Sequence, residues 1–218
     1  MQAEDVIEKF KAAGALLEGH YLLTSGLHST WYLQCALVLQ HPLEAEAFGR
    51  AIAEHFKDRK IELVASPAIG GLIIGHEVAR ALGARFVWTE RADGAMTLRR
   101  GFSVRSGEQT LVVEDVLTTG GSTRETIEVL RAAGAEVVAA ASIIDRSPGR
   151  ADVGVPRVAL AALSVPAVEP ADCEACRRGE VATKPGSRGP SDERSELNAK
   201  DGEASAKGRR GIPSRPLR

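Results

Sequence analysis

Two adjacent carboxylates, Glu114 and Asp115, stand between an apolar run and a cluster of hydroxyls and glycines, in Thr110-Leu-Val-Val-Glu-Asp-Val-Leu-Thr-Thr-Gly-Gly-Ser-Thr123. Carboxylates accept hydrogen bonds from hydroxyl groups. Glycines let a backbone wrap an anion closely, and Thr and Ser hydroxyls add donors to the amides. Where such a loop opens a helix, the free N–H groups of the first turn and the helix dipole favour a phosphate. An anion cradle with acids at its lip suits a sugar phosphate. No Gly-Lys-Ser/Thr follows, so this is not a Walker loop, and the dinucleotide fingerprint Gly-x-Gly-x-x-Gly is absent from it. A plain strand–turn–helix corner with a capping hydroxyl needs neither paired acids nor two glycines.

Elements must position these groups. Val6, Ile7, Phe10, Ala13 and Leu17 recur at helical spacing and predict an amphipathic helix over residues 3–17. Residues 19–34, with a Ser25-Gly26 turn signal between apolar and aromatic runs, read as a hairpin or hooked loop. A second helix, with proline near its start, is expected over 42–56. Strands and helices then alternate: strand 61–65, loop Ser66-Pro-Ala-Ile-Gly-Gly71, helix 72–82, strand 84–89, a basic stretch 90–101, strand 102–104, strand 110–113, helix 124–133, and strands 136–144 and 157–163. That rhythm implies an α/β fold, a mainly parallel sheet flanked by helices. Ligands of such sheets meet the carboxyl ends of strands, where Glu114 and Asp115 stand.

The acid pair and its loop resemble the 5-phosphoribosyl diphosphate (PRPP) signature of the type I phosphoribosyltransferases: apolar residues, two acids, an apolar pair, then Thr-x-Gly-x-Ser/Thr. To about residue 188 the chain is similar to the orotate phosphoribosyltransferase family. Gly19-His-Tyr-Leu-Leu-Thr-Ser-Gly-Leu-His-Ser-Thr-Trp-Tyr32 looks like that family's hood over the base. Thr24 stands where the family often has a lysine, with His28 as a replacement. Ser66-Pro-Ala-Ile-Gly-Gly71 matches the loop that touches diphosphate. Gly70 there replaces a lysine, which leaves backbone contacts only. Glu90-Arg-Ala-Asp-Gly-Ala-Met-Thr-Leu-Arg-Arg-Gly-Phe102 matches the mobile catalytic loop in position, with arginines for lysines and a histidine. Arg146, closing Ser142-Ile-Ile-Asp-Arg146, aligns with an arginine that pairs with the carboxylate of the base.

The resemblance implies a type I phosphoribosyltransferase fold with a small N-terminal hood, and transfer of the phosphoribosyl group from PRPP to orotate in pyrimidine synthesis. It assigns Glu114 and Asp115 to the ribose hydroxyls, and Val116, Leu117, Thr118, Thr119, Gly120, Gly121 and Ser122 to the 5′-phosphate side of PRPP. Gly70, Gly71 and Arg91 fall to the diphosphate. Arg99 and Arg100, with Glu114 and Asp115, are the expected catalytic groups, and the arginines act by electrostatics because guanidinium does not exchange protons near neutrality. Orotate falls between Thr118, Arg146 and Tyr32. Mg²⁺ is implied on PRPP, held mainly by substrate oxygens and water and not directly by the protein. A cytoplasmic homodimer with shared active sites is implied. The rival readings are a purine or other base phosphoribosyltransferase, and a PRPP-sensing regulator without catalysis.

The chain has 218 residues, 44% hydrophobic and 26% charged, with net charge −1, enough for one sizeable core and without a bias toward nucleic acid or membrane. The N-terminus reads as an acidic helix start, not a signal peptide. Cys35, Cys173 and Cys176 make no disulfide framework, which suits a reducing compartment. Cys173-Glu-Ala-Cys176 has metal-ligand spacing, but there is no second such pair, and His20, His28, His41, His55 and His76 are all far upstream. Neither a zinc site nor a redox pair is therefore expected there, and a packing or dimer element is the expectation for the stretch through Lys184-Pro-Gly-Ser-Arg188. The expected organisation is helix and hood over 1–40, core over 41–186 and a disordered tail over 187–218, where large apolar residues nearly vanish.

Overall fold

Alternation along the central strands sorts apolar side chains onto two faces of a sheet. Leu63, Ala65, Val112 and Ala140 join one core, while Val64, Leu111, Val113, Ala139 and Ala141 join another. A sheet buried on both faces must carry helices on both. Helix α5 (Gly121–Ala132) supplies Ile127 and Leu130 to the first core. Helices α1 (Ala3–Ala12), α3 (Pro42–Glu54) and α4 (Gly71–Leu82) supply Val6, Phe10, Phe48, Ile52, Ile74 and Val78 to the second. The computed structural model describes residues 1–23, 25–147 and 149–184. The expected tail, Thr24, and the stretch after Lys184 lie outside the described residues.

The sheet holds β3 (Leu63–Pro67), β4 (Arg85–Ala92), β5 (Ala95–Leu98), β6 (Gln109–Leu117), β7 (Glu136–Asp145) and β8 (Arg157–Ala162), in the order β5-β4-β3-β6-β7-β8. All neighbours run parallel except β4 and β5. From β3 the chain crosses through α4 to β4 on one side. From β6 it crosses through α5 to β7 on the other. The strand order therefore reverses between β3 and β6, and the loops leaving their carboxyl ends part to form a crevice.

Several elements depart from the sequence expectation. Helix α1 stops at Ala12 rather than 17, because Gly14 turns the chain with φ +63 and Ala15 is then fully buried. The hairpin is present as β1 (Leu16–Leu22) and β2 (His28–Leu33), and a short unexpected helix, α2 (Cys35–Leu39), follows. Most of the basic stretch 90–101 is a β4–β5 hairpin, turned by Asp93 and Gly94 at φ 51 and 83. Residues 102–104 form no strand. Phe102 instead meets Trp88 edge to face at 4.6 Å and packs on the α5-side core. Strand β6 outruns its predicted end at 113, so the acid pair lies within it, and α5 begins earlier than predicted, at Gly121.

The chain divides into two units. One comprises Met1–Gly19 and Thr30–Ala167 and contains the six-stranded sheet; the other joins His20–Ser29 to the segment from Val168 onward. This division by contacts does not follow the sequence boundaries at 40 and 186. Among the described residues no helix is long and apolar enough to cross a membrane.

Candidate active site

Glu114 and Asp115 are neighbours in β6, so the pleat sends them to opposite faces. Glu114 accepts a hydrogen bond from the Thr123 hydroxyl on α5. Asp115 lies on the other side, with Cys35 at the start of α2. Its Oδ1 accepts from the backbone N–H of Val116 at 2.9 Å. The loop after β3 presses against the same carboxylate. A Cβ at Gly70 would fall 2.8 Å from Asp115 Oδ1, and one at Gly71 would fall 2.9 Å from Ser66 Cβ, so both positions need glycine for this approach. The loops leaving β3 and β6 thus converge at the crevice that the topology opens.

The loop after β6 turns at Gly120, which has φ +77 and whose absent Cβ leaves room for Val153. Gly121, Ser122 and Thr123 form the first turn of α5, where amides have no intrahelical partner. Thr118 and Thr119 are exposed at the mouth. The expected anion cradle is therefore a helix N-terminus reached through a left-handed glycine, with Glu114 anchored beneath it by Thr123.

Burial dominates the electrostatics. It pushes the Glu114 carboxyl up to about 7, against the Thr123 hydrogen bond and helped by the charge of Asp115. Burial raises Asp115 too, opposed by the Val116 N–H and by Cys35. Burial and the Asp115 charge together push the Cys35 thiol well above its usual range, so it remains a thiol and a hydrogen-bond donor. The sequence treated Cys35 only as a free thiol. Its place against Asp115 depends on α2, and no local signal announces it.

Arg146 follows β7, and its backbone N–H donates to the Leu117 carbonyl at 2.7 Å. This ties it to the end of β6, one residue before Thr118. Its neighbour Asp145 is committed elsewhere, to the N–H and hydroxyl of Ser147, the N–H of Gly149 and the Arg157 guanidinium at 2.5 Å. Burial alone would raise Asp145, but these partners hold it at about 2. Arg146 is left with a buried Nε that has no partner among the described groups. Burial lowers its pKa, and the nearby Tyr32 works against that. Tyr32 is in turn raised by burial and held back by the Arg146 charge. Tyr32, Arg146, Asp115 and Cys35 therefore form one electrostatic group.

The arginines of the basic hairpin point to other acids. Arg91 bridges Glu125 of α5 at 2.9 Å, while Arg100 and Arg99 reach Glu90 at 2.9 and 3.6 Å. The described hydrogen bonds of these arginines do not link them to the β6 loop. His28, the expected replacement for the missing lysine, contacts His20 and Cys176 instead.

The Phosphoribosyl transferase domain matches residues 36–158. An orotate phosphoribosyltransferase of Caldicellulosiruptor bescii is 50% identical over 188 residues, which is 86% of this chain and 99% of that protein. The chain belongs to the orotate phosphoribosyltransferase family. A relative of the same description from Thermotoga maritima is 48% identical over 186 residues, 85% of this chain and 98% of that one. The solved orotate phosphoribosyltransferase of Aeropyrum pernix superposes with a TM-score of 0.60 at 27% identity, covering 72% of this chain and 93% of that one. An adenine phosphoribosyltransferase from Thermoanaerobacter pseudethanolicus, at 19% identity and a TM-score of 0.58, shares the fold over 72% of this chain and 99% of its own. The family's type I fold is the parallel sheet described above.

Proposed function

We propose that the chain transfers the phosphoribosyl group of PRPP to orotate, giving orotidine 5′-phosphate and diphosphate. The bond from ribose C1 to orotate N1 forms. The bond from C1 to the diphosphate oxygen breaks, the leaving group takes its electron pair, and the N1 proton is released. The amides of residues 118–122 and the hydroxyls of Thr118, Thr119 and Ser122 hold the 5′-phosphate at the α5 N-terminus. Glu114 and Asp115, reaching from opposite faces of β6, accept hydrogen bonds from the ribose hydroxyls and stabilise positive charge developing on the ring. Gly70 and Gly71 offer backbone contacts to the diphosphate. Arg91, Arg99 and Arg100 then exchange their partners Glu125 and Glu90 for the diphosphate. Such surface pairs contribute little, so a multiply charged ligand displaces them readily.

The donor set at the crevice is carboxylate and hydroxyl oxygen, which suits a hard cation that keeps most of its waters. Mg²⁺ bound with PRPP would offset the charge of the leaving diphosphate, with Glu114 and Asp115 reaching it through ribose hydroxyls and water. A homodimer with shared sites is part of this reading, as is the cytoplasm, which suits the free thiols of Cys35, Cys173 and Cys176.

The observation that carries the choice of base is Arg146, a half-buried guanidinium near Tyr32 whose buried Nε has no partner among the described groups. A carboxylate satisfies it, and purines bring none. Arg146→Ala should raise the orotate KM roughly 30- to 100-fold, the loss of a charge-assisted pair, while the PRPP KM moves little. An unchanged orotate KM would remove Arg146 from the base site. Assays with adenine, hypoxanthine, xanthine and uracil should give no product with Mg-PRPP. Product with a purine would favour the rival substrate class, and PRPP binding without product from any base would favour a regulator.

A further inference from the structure

We propose that His20, His28, Cys173 and Cys176 form a tetrahedral zinc site that clamps the His20–Ser29 segment to the segment following Val168. One ligand atom from each residue lies within 4.8 Å of every other. His20 Nε2 is 2.9 Å from His28 Nδ1 and 3.3 Å from the Cys173 sulfur. The Cys176 sulfur is 3.2 Å from His28 Nδ1 and 3.7 Å from His20 Nε2. Zinc bonds of about 2.05 Å to nitrogen and 2.3 Å to sulfur give tetrahedral edges of roughly 3.3–3.8 Å, a range these separations of 2.9–3.7 Å overlap, so small side-chain shifts seat the ion. Two imidazole nitrogens and two sulfurs are borderline to soft donors and match zinc, not magnesium or calcium. Four protein ligands leave no open position, so the site is structural and not catalytic. The sequence did not reveal it, because each half is a lone pair and the halves lie some 145 residues apart, closed only by folding.

The same unit shows why a metal belongs there. Among its described residues only His28, Ser29, Cys173 and Ala175 are buried, while Val168 and Val181 are 41% and 89% exposed. Among its described residues no large aliphatic side chain is buried, so their hydrophobic burial does little to hold the segments together, the situation in which small units rely on metals. Backbone bonds align the two segments without locking them: His28 and Val168 exchange N–H···O bonds at 2.8 and 2.9 Å, and Leu22 and Thr183 donate to Thr183 and His20 carbonyls, both at 2.8 Å. Cys173 caps the single-turn helix α6 (Glu174–Arg177), which brings Cys176 back onto the same side. His20 Nδ1 is buried without a partner among the described groups, so the contacts that orient this ring lie on its Nε2 side, with the two sulfurs and His28.

The full chain, purified without chelator, should carry about one zinc per chain by elemental analysis. Cobalt(II) exchanged into it should show the visible absorption of a tetrahedral ion and thiolate-to-metal charge transfer. Cys173→Ser, Cys176→Ser and His28→Asn should each lower the zinc content to about a tenth or less, and Cys35→Ser should leave it intact. Removing zinc from the wild type should open residues 168–184 to limited proteolysis while the sheet resists. Should a variant not fold, the wild-type zinc content and cobalt spectrum still decide. A chain that lacks zinc and takes up no cobalt, one whose Cys173 and Cys176 form a disulfide instead, or one that keeps zinc when Cys173 and Cys176 are both replaced, would overturn the proposal.

Discussion

In the proposed reaction, Glu114 would link ligand binding to protonation. Its carboxyl, raised to about 7 by burial, keeps in the folded state a proton that the unfolded chain releases near its ordinary 4.5. The folded state therefore binds more protons between these values, and stability falls as pH rises through that window, by up to about 3 kcal/mol, before levelling off. Glu114→Gln removes the titration. Urea unfolding at pH 5 and pH 8 should show the wild type losing stability relative to the variant across that interval. An equal change in both proteins would place the Glu114 titration outside it. Ribose hydroxyls donate to the carboxylate form, so the same group would release its proton as PRPP binds. Asp145 shows the opposite result of burial, because Arg157 and the N–H groups of Ser147 and Gly149 supply what Glu114 lacks.

The strand–loop–helix formed by β6 and α5 is the decisive element. Its pleat separates the two acids, and its left-handed Gly120 leads into the first turn of α5. Gly120→Ala meets two obstacles: φ +77 disfavours a side chain, and the new Cβ would lie 2.7 Å from the Val153 Cγ1. The substitution should cost about 1–3 kcal/mol of stability and raise the PRPP KM at least roughly tenfold. The additional change Val153→Ala should relieve the clash but not the backbone strain, so recovery should be partial, as measured by thermal unfolding and PRPP titration. Full recovery would mean that the loop does not require the left-handed conformation.

At the scale of the whole molecule, the basic hairpin pairs with Glu90 and Glu125 of its own chain, while the proposed reaction needs its arginines at a diphosphate. In the proposed homodimer the hairpin serves the neighbouring site. Mixing chains that carry Arg99→Ala and Arg100→Ala with chains that carry Asp115→Asn should then restore activity. Random exchange makes half of the dimers hybrids, each with one intact site, which gives about a quarter of wild-type turnover. No recovery after verified subunit exchange would confine the hairpin to its own site.

The amino-acid sequence by itself determined the alternation of strands and helices, which local periodicity carries, and it marked residues 118–122 by contiguous residue types and Arg146 by family resemblance as the candidate contacts that the proposed function uses. Folding decided what depends on distant segments meeting. The hydrogen bond from Thr123 of α5 to Glu114 of β6, the thiol of Cys35 against Asp115, the pairing of Asp145 with Arg157, and the union of His20 and His28 with Cys173 and Cys176 all join residues from different elements of the chain. Local sequence sets backbone preference and hydrophobic period. Only packing fixes which polar groups lose water together, and that loss sets their charge and their chemistry.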